Sequence, residues 1–480
     1  MSDEGTIGIL GLARSGRAAA ELALGAGLRV YASDAGDSAA LRDAAAAIRR
    51  AGGVAEIGHH DAERLARCER IVLSPGIPPD APILRDPAVR DVPCVSELEF
   101  AYRHLRAPVI AVTGTNGKST TTALTAHLLR VAGMDSPAAG NIGLALSEIA
   151  RRDPPPDWVV VEASSFQLGG IECFAPRVGA VTNLSPDHLD RYPSVDAYYA
   201  DKARLFANAD EGSVWVLNAD DPAVERLAGD VPGRRLRFRA SGPPPAASAA
   251  DAASATGVEG VEGVEGVEGA WRDGDALMLA LEGAAPLRLI DVGELQLLGE
   301  HNVANALAGA LLAAAAGAGP AALRDGLRSF PPMAHRLEPV AEADGVLWIN
   351  DSKATNVEST RVAVRSVDRP TVLLLGGRAK GERFTALAPE LGERVRVVVA
   401  FGEAAAAIEA ELTGRVRVER VDGEFEEVVA CARALARPGD AVLLSPACAS
   451  FDMFEDYADR GRQFIALAGG RTRREVRDGV

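Results

Sequence analysis

The stretch AVTGTNGKSTTTALTAHLL, Ala111 to Leu129, reads as a strand that enters a helix through a turn holding two glycines and a lysine. The usual phosphate-binding loop is G-x-x-x-x-G-K-[ST]. Here the position five before Gly117 is Val112, so only G-T-N-G-K-S remains, with Thr115 and Asn116 between Gly114 and Gly117. The chemistry survives the shortening. Glycines let the backbone approach a phosphate, and a helix start offers N–H groups and partial positive charge. Lys118 is placed to reach the β- and γ-phosphates of a nucleoside triphosphate, and Ser119 or Thr120 to carry Mg²⁺.

Working outward, short apolar runs alternate with Ala/Leu-rich helical patterns: WVVVE, VGAVTN, VWVLN, VLWIND, TVLLLGG, VRVVVAFG and AVLLSP. This is the pattern of an α/β protein with parallel sheets covered on both faces. Ligands gather beyond the carboxyl ends of such strands. Glu162 ends the run after the loop unit and is a candidate to hold Mg²⁺ directly or through water. TNLSPDHLDRY places Asp187, His188 and Asp190 beyond the next strand. Lys202, in YYADKARLF, taken alone reads as part of a solvated helix face.

At 480 residues several domains are expected. HLRAP near residue 106 and SFPPMAHR near 331 mark three segments, 1–106, 107–331 and 332–480. The formal net charge is −16, which argues against a general nucleic-acid or anionic-membrane binder. No apolar run reaches the ~18 residues of a membrane span. The start lacks a basic secretory n-region. Cys68, Cys94, Cys173, Cys431 and Cys448 show no C-x-x-C spacing, so neither a disulfide framework nor a zinc site is suggested. A reduced cytoplasmic protein is expected. Residues 241–270, with four Val-Glu-Gly units, read as a mobile surface insertion.

The first segment opens with TIGILGLARSG and then VYASD, which suggests a dinucleotide site. G-x-G-x-x-G is not satisfied from Gly8 or Gly11, however. A structural role for these glycines, in a tight turn and close packing, stays open.

Taken in order, GTNGKS, EASSFQL, NLSPDHLDRY with a lysine soon after, GEHNVANALAG, HRLE and NDSKATN resemble the ATP-dependent Mur ligases of bacterial cell-wall synthesis. WINDSKATN and LLSPACASFDMF resemble the branch that adds D-glutamate. The resemblance runs from the first strand to the last helix. It implies a Rossmann-like N-terminal domain, a central P-loop ATP-binding domain and a Rossmann-like C-terminal domain.

It also implies roles. Gly114, Thr115, Asn116, Gly117, Lys118, Ser119 and Thr120 would hold ATP, with Asn305, Arg336, Asp351 and Lys353. Ser119, Glu162, His188 and Lys202 would serve two Mg²⁺ ions, Lys202 as a CO₂-derived carbamate. With Lys118, the last three would be the catalytic set. Ser15, Gly16, Arg17, Asp34, Ser74 and Gly76 would bind the UDP end of UDP-N-acetylmuramoyl-L-alanine, and Asn141, Ser164 and Gln167 its muramoyl part. The Thr-Arg that often follows the Asp in the family is Ala35-Gly36 here. Thr355, Lys380, Ser450 and Tyr457 would take D-glutamate, Tyr457 standing where the family has Phe. The expected protein is a monomer that activates the alanyl carboxylate as an acyl phosphate. The base that deprotonates the incoming amine is unassigned.

Overall fold

In the computed structural model, residues 5–78, 80–187, 191–243, 268–281 and 284–469 are described. His188, Asp190 and most of the 241–270 stretch lie outside them. Among the described residues three sheets organise the chain, the second and third grown from the apolar runs noted above. The first has five parallel strands in the order Val54–Ile57, Arg29–Asp34, Thr6–Leu10, Arg70–Leu73, Cys94–Ser96. Its strand order reverses beside Thr6–Leu10, which opens a crevice at the carboxyl ends of that strand and Arg70–Leu73.

The second sheet has nine strands. Its centre is Val109–Thr113, paired in parallel with Val159–Glu162 on one side and Val178–Val181 on the other. All three are fully buried, as continuous apolar runs require when helices cover both faces. Beyond Val214–Asn218 and Arg234–Arg239, the far edge turns antiparallel through Ala276–Ala280 and Leu287–Asp291. Gly269 and Ala270, the last residues of the low-complexity stretch, belong to a strand paired with Arg234–Arg239.

The third sheet runs Glu338–Ala343, Val346–Asn350, Ala441–Leu444, Thr371–Gly376, Val395–Phe401, Arg417–Arg420, with only the first strand antiparallel. The residues up to Glu294 with Ala304–Arg328 form one compact unit. Leu295–Val303 with the residues from Ser329 onward form a second. Within the first unit, the first two sheets share one apolar core that includes Ile9, Val72, Val109 and Trp215.

Two buried acids from helix Glu97–Tyr102 join the first two sheets. Glu97 accepts from Ser147 N–H (2.7 Å) and Ser147 Oγ (2.6 Å). Glu99 accepts from the N–H groups of Glu172, Cys173 and Phe174 and from Arg103. Among the described residues, no helix is long and apolar enough to cross a membrane.

Candidate active site

The phosphate loop follows Val109–Thr113 and opens helix Lys118–Val131. Gly114 and Gly117 take φ +137° and +80°, values that favour glycine. Space also demands them. A Cβ on Gly114 would overlap Thr182 Oγ1, and one on Gly117 would overlap Asn305 Oδ1. The loop is bolted to the turn after Val178–Val181. Asn116 N–H donates to Asn183 Oδ1 (2.9 Å), Thr115 N–H donates to Asn183 O (2.8 Å), and Thr182 Oγ1 donates to Asn116 O (2.6 Å). Thr121 Oγ1 bonds Asn305 Oδ1 at 3.3 Å. The cap residue Gly117 has no side chain to satisfy the first helical N–H groups, so the helix start is suited to an anion.

Register places Glu162 opposite Val112, directly beside the loop strand. The residue is 1% exposed. Its Oε1 accepts from Asn141 Nδ2 at 2.7 Å, while the buried Oε2 has no hydrogen-bond partner among the described residues. An orphaned carboxylate oxygen in the interior is costly unless a cation completes it. Asn141 therefore aims Glu162, whatever else it touches.

Lys202 lies on helix Val195–Ala203 and is also 1% exposed, so the solvated-face reading of its local pattern is corrected. Its Nζ donates to Gly114 O at 2.7 Å and sits 4.4 Å from the centre of the Tyr198 ring. Burial holds its amine well below the usual lysine range, and the Lys118 charge pushes the same way, against Asp187, Glu162 and Asp201. Lys118 Nζ donates to Gly114 O (3.0 Å) and Thr115 O (2.7 Å). Ser119 is buried at the same helix start. The structure thus gathers the loop, Glu162, Lys202, Asn141 and Asn305 within one unit. Ser164 caps helix Ser165–Gly169, and its hydroxyl and N–H both donate to Gln167 Oε1 at 3.0 Å. Gln167 Nε2 is buried and has no hydrogen-bond partner among the described residues.

In the first sheet, Gly16 packs so closely on Gly11 O that no Cβ fits, and Ser74 Oγ donates to the same carbonyl (2.8 Å). Asp34 accepts from Leu12 N–H (2.7 Å) and Gly36 N–H (2.8 Å). Ser15 is half-buried at the start of helix Arg14–Gly25, Gly76 is exposed, and exposed Arg17 pairs with Glu21 at 2.9 Å.

The second unit carries Arg336, Asp351, Lys353, Thr355, Lys380, Ser450 and Tyr457. Asp351 accepts from Ser445 Oγ (2.8 Å) and Leu337 N–H (3.2 Å), and burial pushes its carboxyl up to about 7. Lys353 Nζ lies 5.3 Å from the Tyr457 ring centre. Lys380 Nζ donates to Thr355 Oγ1 (3.1 Å), and an Arg378–Ala449 bridge brings the Lys380 and Ser450 loops together.

Sequence reasoning missed Asn183, the clamp on the loop, and Arg460. Fully buried Arg460 donates to Ser352 Oγ (2.9 Å), Ser352 O (2.8 Å) and Cys448 O (3.2 Å), tying the NDSKATN and ACAS loops together. Asn183 was signalled by a strand ending in Thr-Asn. For Arg460 no local signal exists.

Residues 112–313 match the family model for the Mur ligase middle domain, and 335–448 that for the Mur ligase glutamate ligase domain. A relative from Anaeromyxobacter dehalogenans, named UDP-N-acetylmuramoylalanine–D-glutamate ligase, is 43% identical over 469 residues, 97% of each chain. One of the same name from Salinibacter ruber is 40% identical over 96% of each. A pseudomurein peptide ligase type C from Methanothermus fervidus shares the fold at 18% identity and a TM-score of 0.58, covering 97% of this chain and 100% of that one. UDP-N-acetylmuramate-alanine ligase from Thermotoga maritima does so at 20% and 0.57, covering 97% and 99%. Similarity to named ligases that spans nearly the whole chain, over a fold the solved relatives share, leaves one assignment: the chain belongs to the Mur ligase family.

Proposed function

We propose that this chain joins D-glutamate to UDP-N-acetylmuramoyl-L-alanine, using ATP, in peptidoglycan precursor synthesis. The full-length relatives carry that activity in their names. The observation that supports the chemistry most directly is Glu162, a buried carboxylate next to a phosphate cradle, with one oxygen on Asn141 and the other without a hydrogen-bond partner among the described residues.

Mg²⁺ suits this donor set, because it takes hard oxygen ligands. Glu162 and the Ser119 hydroxyl would hold it, with His188 and Lys202 assigned to a second ion by family resemblance. Bound there, Mg²⁺ offsets the repulsion between two anionic reactants. Lys202 qualifies because burial favours its neutral amine. That amine adds to CO₂, a new N–C bond forms, a proton leaves to solvent, and the side chain ends in a carboxylate.

The alanyl carboxylate oxygen then bonds to the γ-phosphorus as the bond to the β,γ-bridging oxygen breaks, releasing ADP. The D-glutamate amine attacks the acyl carbon of the resulting acyl phosphate, and phosphate leaves from the tetrahedral intermediate. The chain's own task is alignment and charge. Lys118 turns from Gly114 O and Thr115 O to the phosphates. Gly114, Thr115, Asn116, Gly117 and Thr120 shape the cradle, with Asn305 behind it. Arg336, Asp351 and Lys353 are assigned to ATP by family resemblance. Ser15, Gly16, Arg17, Asp34, Ser74 and Gly76 receive the UDP end, Asn141, Ser164 and Gln167 the muramoyl part, and Thr355, Lys380, Ser450 and Tyr457 the D-glutamate. We read the segments 1–106, 107–331 and 332–480 as domains of a cytoplasmic monomer.

The test is phosphate release from ATP with Mg²⁺, UDP-N-acetylmuramoyl-L-alanine and single amino acids. Release is expected with D-glutamate alone. Release with L-glutamate or meso-diaminopimelate instead would sink the reading.

A further inference from the structure

The carboxyl edge of the first sheet carries a histidine pair, His59-His60, that the reaction above does not use. Helix Arg14–Gly25 follows the central strand Thr6–Leu10, and the diphosphate of the substrate read above would lie at that helix start. A nucleoside attached there can run outward along the sheet edge. Such a nucleoside would pass the end of Arg29–Asp34 first, where Asp34 stands, and then the end of Val54–Ile57, where Gly58, His59 and His60 follow.

Between those points the side chains are Ala35 and Gly36, which offer no donor or acceptor. Asp34 already receives a backbone N–H on each oxygen, from Leu12 and Gly36. The two loops are stitched into one surface: Gly58 N–H donates to Gly36 O (3.0 Å), and Asp34 and His59 form an antiparallel bridge. His60 Nδ1 lies 2.9 Å from the hydroxyl of fully buried Ser33. That bond fixes the ring and leaves its Nε2 edge on the side away from Ser33. His59 is exposed, its ring 3.7 Å from Glu56.

We propose that His59 and His60 recognise the uracil of the UDP-linked substrate, with His60, seated on Ser33, hydrogen bonding the edge of the base and exposed His59 covering its face. This rests on the substrate reading above. It makes the histidines, rather than residues just after Asp34, the ones that set base specificity in this chain. A site that hydrogen bonds a ring edge rejects an analogue whose edge differs.

The experiment is calorimetric titration of the full chain with UDP, CDP and ADP. CDP differs from UDP only at the base edge, carrying an amino group for the 4-oxo group and a lone pair for the N3 hydrogen. The wild type is expected to prefer UDP. His60→Leu and the double variant His59→Ala/His60→Leu should weaken UDP by about tenfold or more and bring UDP and CDP within about twofold. His60→Asn should keep part of the preference. ADP, read at the phosphate loop, should bind unchanged, which shows the variants fold. Three results overturn the inference: variants that keep both UDP affinity and preference, variants that lose UDP and CDP equally with the preference intact, or a wild type that does not distinguish UDP from CDP. A wild type that binds ADP but no UDP overturns the substrate reading with it.

Discussion

Lys118 and Lys202 donate to the same atom, the carbonyl oxygen of Gly114, at 3.0 and 2.7 Å. Burial holds the Lys202 amine well below the usual lysine range, and the nearby Lys118 charge lowers it further.

One prediction is therefore a coupling. Chemical trapping and mass spectrometry should find a carbamate on Lys202 in the wild type and less of it in Lys118→Ala at the same pH and bicarbonate. Equal trapping in both would show that the shared carbonyl is irrelevant to Lys202.

Removing either lysine should be severe. A single positioned electrostatic group contributes on the order of 10²–10³ in kcat. Lys118→Ala is expected to lose at least that much, with no recovery by additives. Lys202→Ala should fall similarly and regain part of its rate with formate or acetate, which can stand where the carbamate would. Full activity of the unsupplemented Lys202→Ala variant in a phosphate-release assay would remove its role.

Glu162→Gln should separate stability from function. Among the described residues, one oxygen of the buried wild-type carboxylate has no hydrogen-bond partner. The variant is expected to melt no lower than the wild type without Mg²⁺, to lose the Mg²⁺-dependent rise in Tm, and to turn over at least about 100-fold more slowly. Thermal scans with and without Mg²⁺ decide it; an unchanged Mg²⁺ effect would relocate the ion.

Asp351 sets a pH dependence in the ligand-free protein. Its folded pKa of about 7 lies above the ordinary 3.8. Between those values the folded state binds the extra proton, so stability falls as pH rises from about 4 to about 7. At ~1.4 kcal/mol per unit the effect is roughly 4 kcal/mol at most. Asp351→Asn should flatten that slope in denaturant titrations at pH 5 and 7.5. An unchanged slope would place the proton elsewhere.

Glu99→Ala addresses the joint in the first unit. It strips an acceptor from three consecutive N–H groups and from Arg103. Breaking a buried, charged network of this kind costs about 3 kcal/mol. Urea unfolding should show that loss.

The strand–loop–helix around Gly114–Ser119 and the acid at the end of WVVVE were legible, because each depends on a local pattern and on the rule that ligands meet strand ends. Lys202 was legible only through the resemblance. Its helix also buries Tyr198, four residues earlier, and no hydrophobic period marks a lysine on that inward face. Asn141 on Glu162 is a pairing across 21 positions, and the Arg460 contacts with Ser352 span 108. Such pairs are set by strand order, which the apolar runs do not encode. For the same reason nothing local in the sequence sets His59 and His60 beside Ser33 and Asp34; the sheet does.

The space beside Gly117 is filled by a distant part of the chain. The side chain that sits against it belongs to Asn305, which bonds Thr121 across 184 positions of chain. During synthesis, the motif therefore emerges from the ribosome long before the residue that closes it. A fragment ending ahead of Asn305 would carry every letter of GTNGKS and still hold an unfinished cradle.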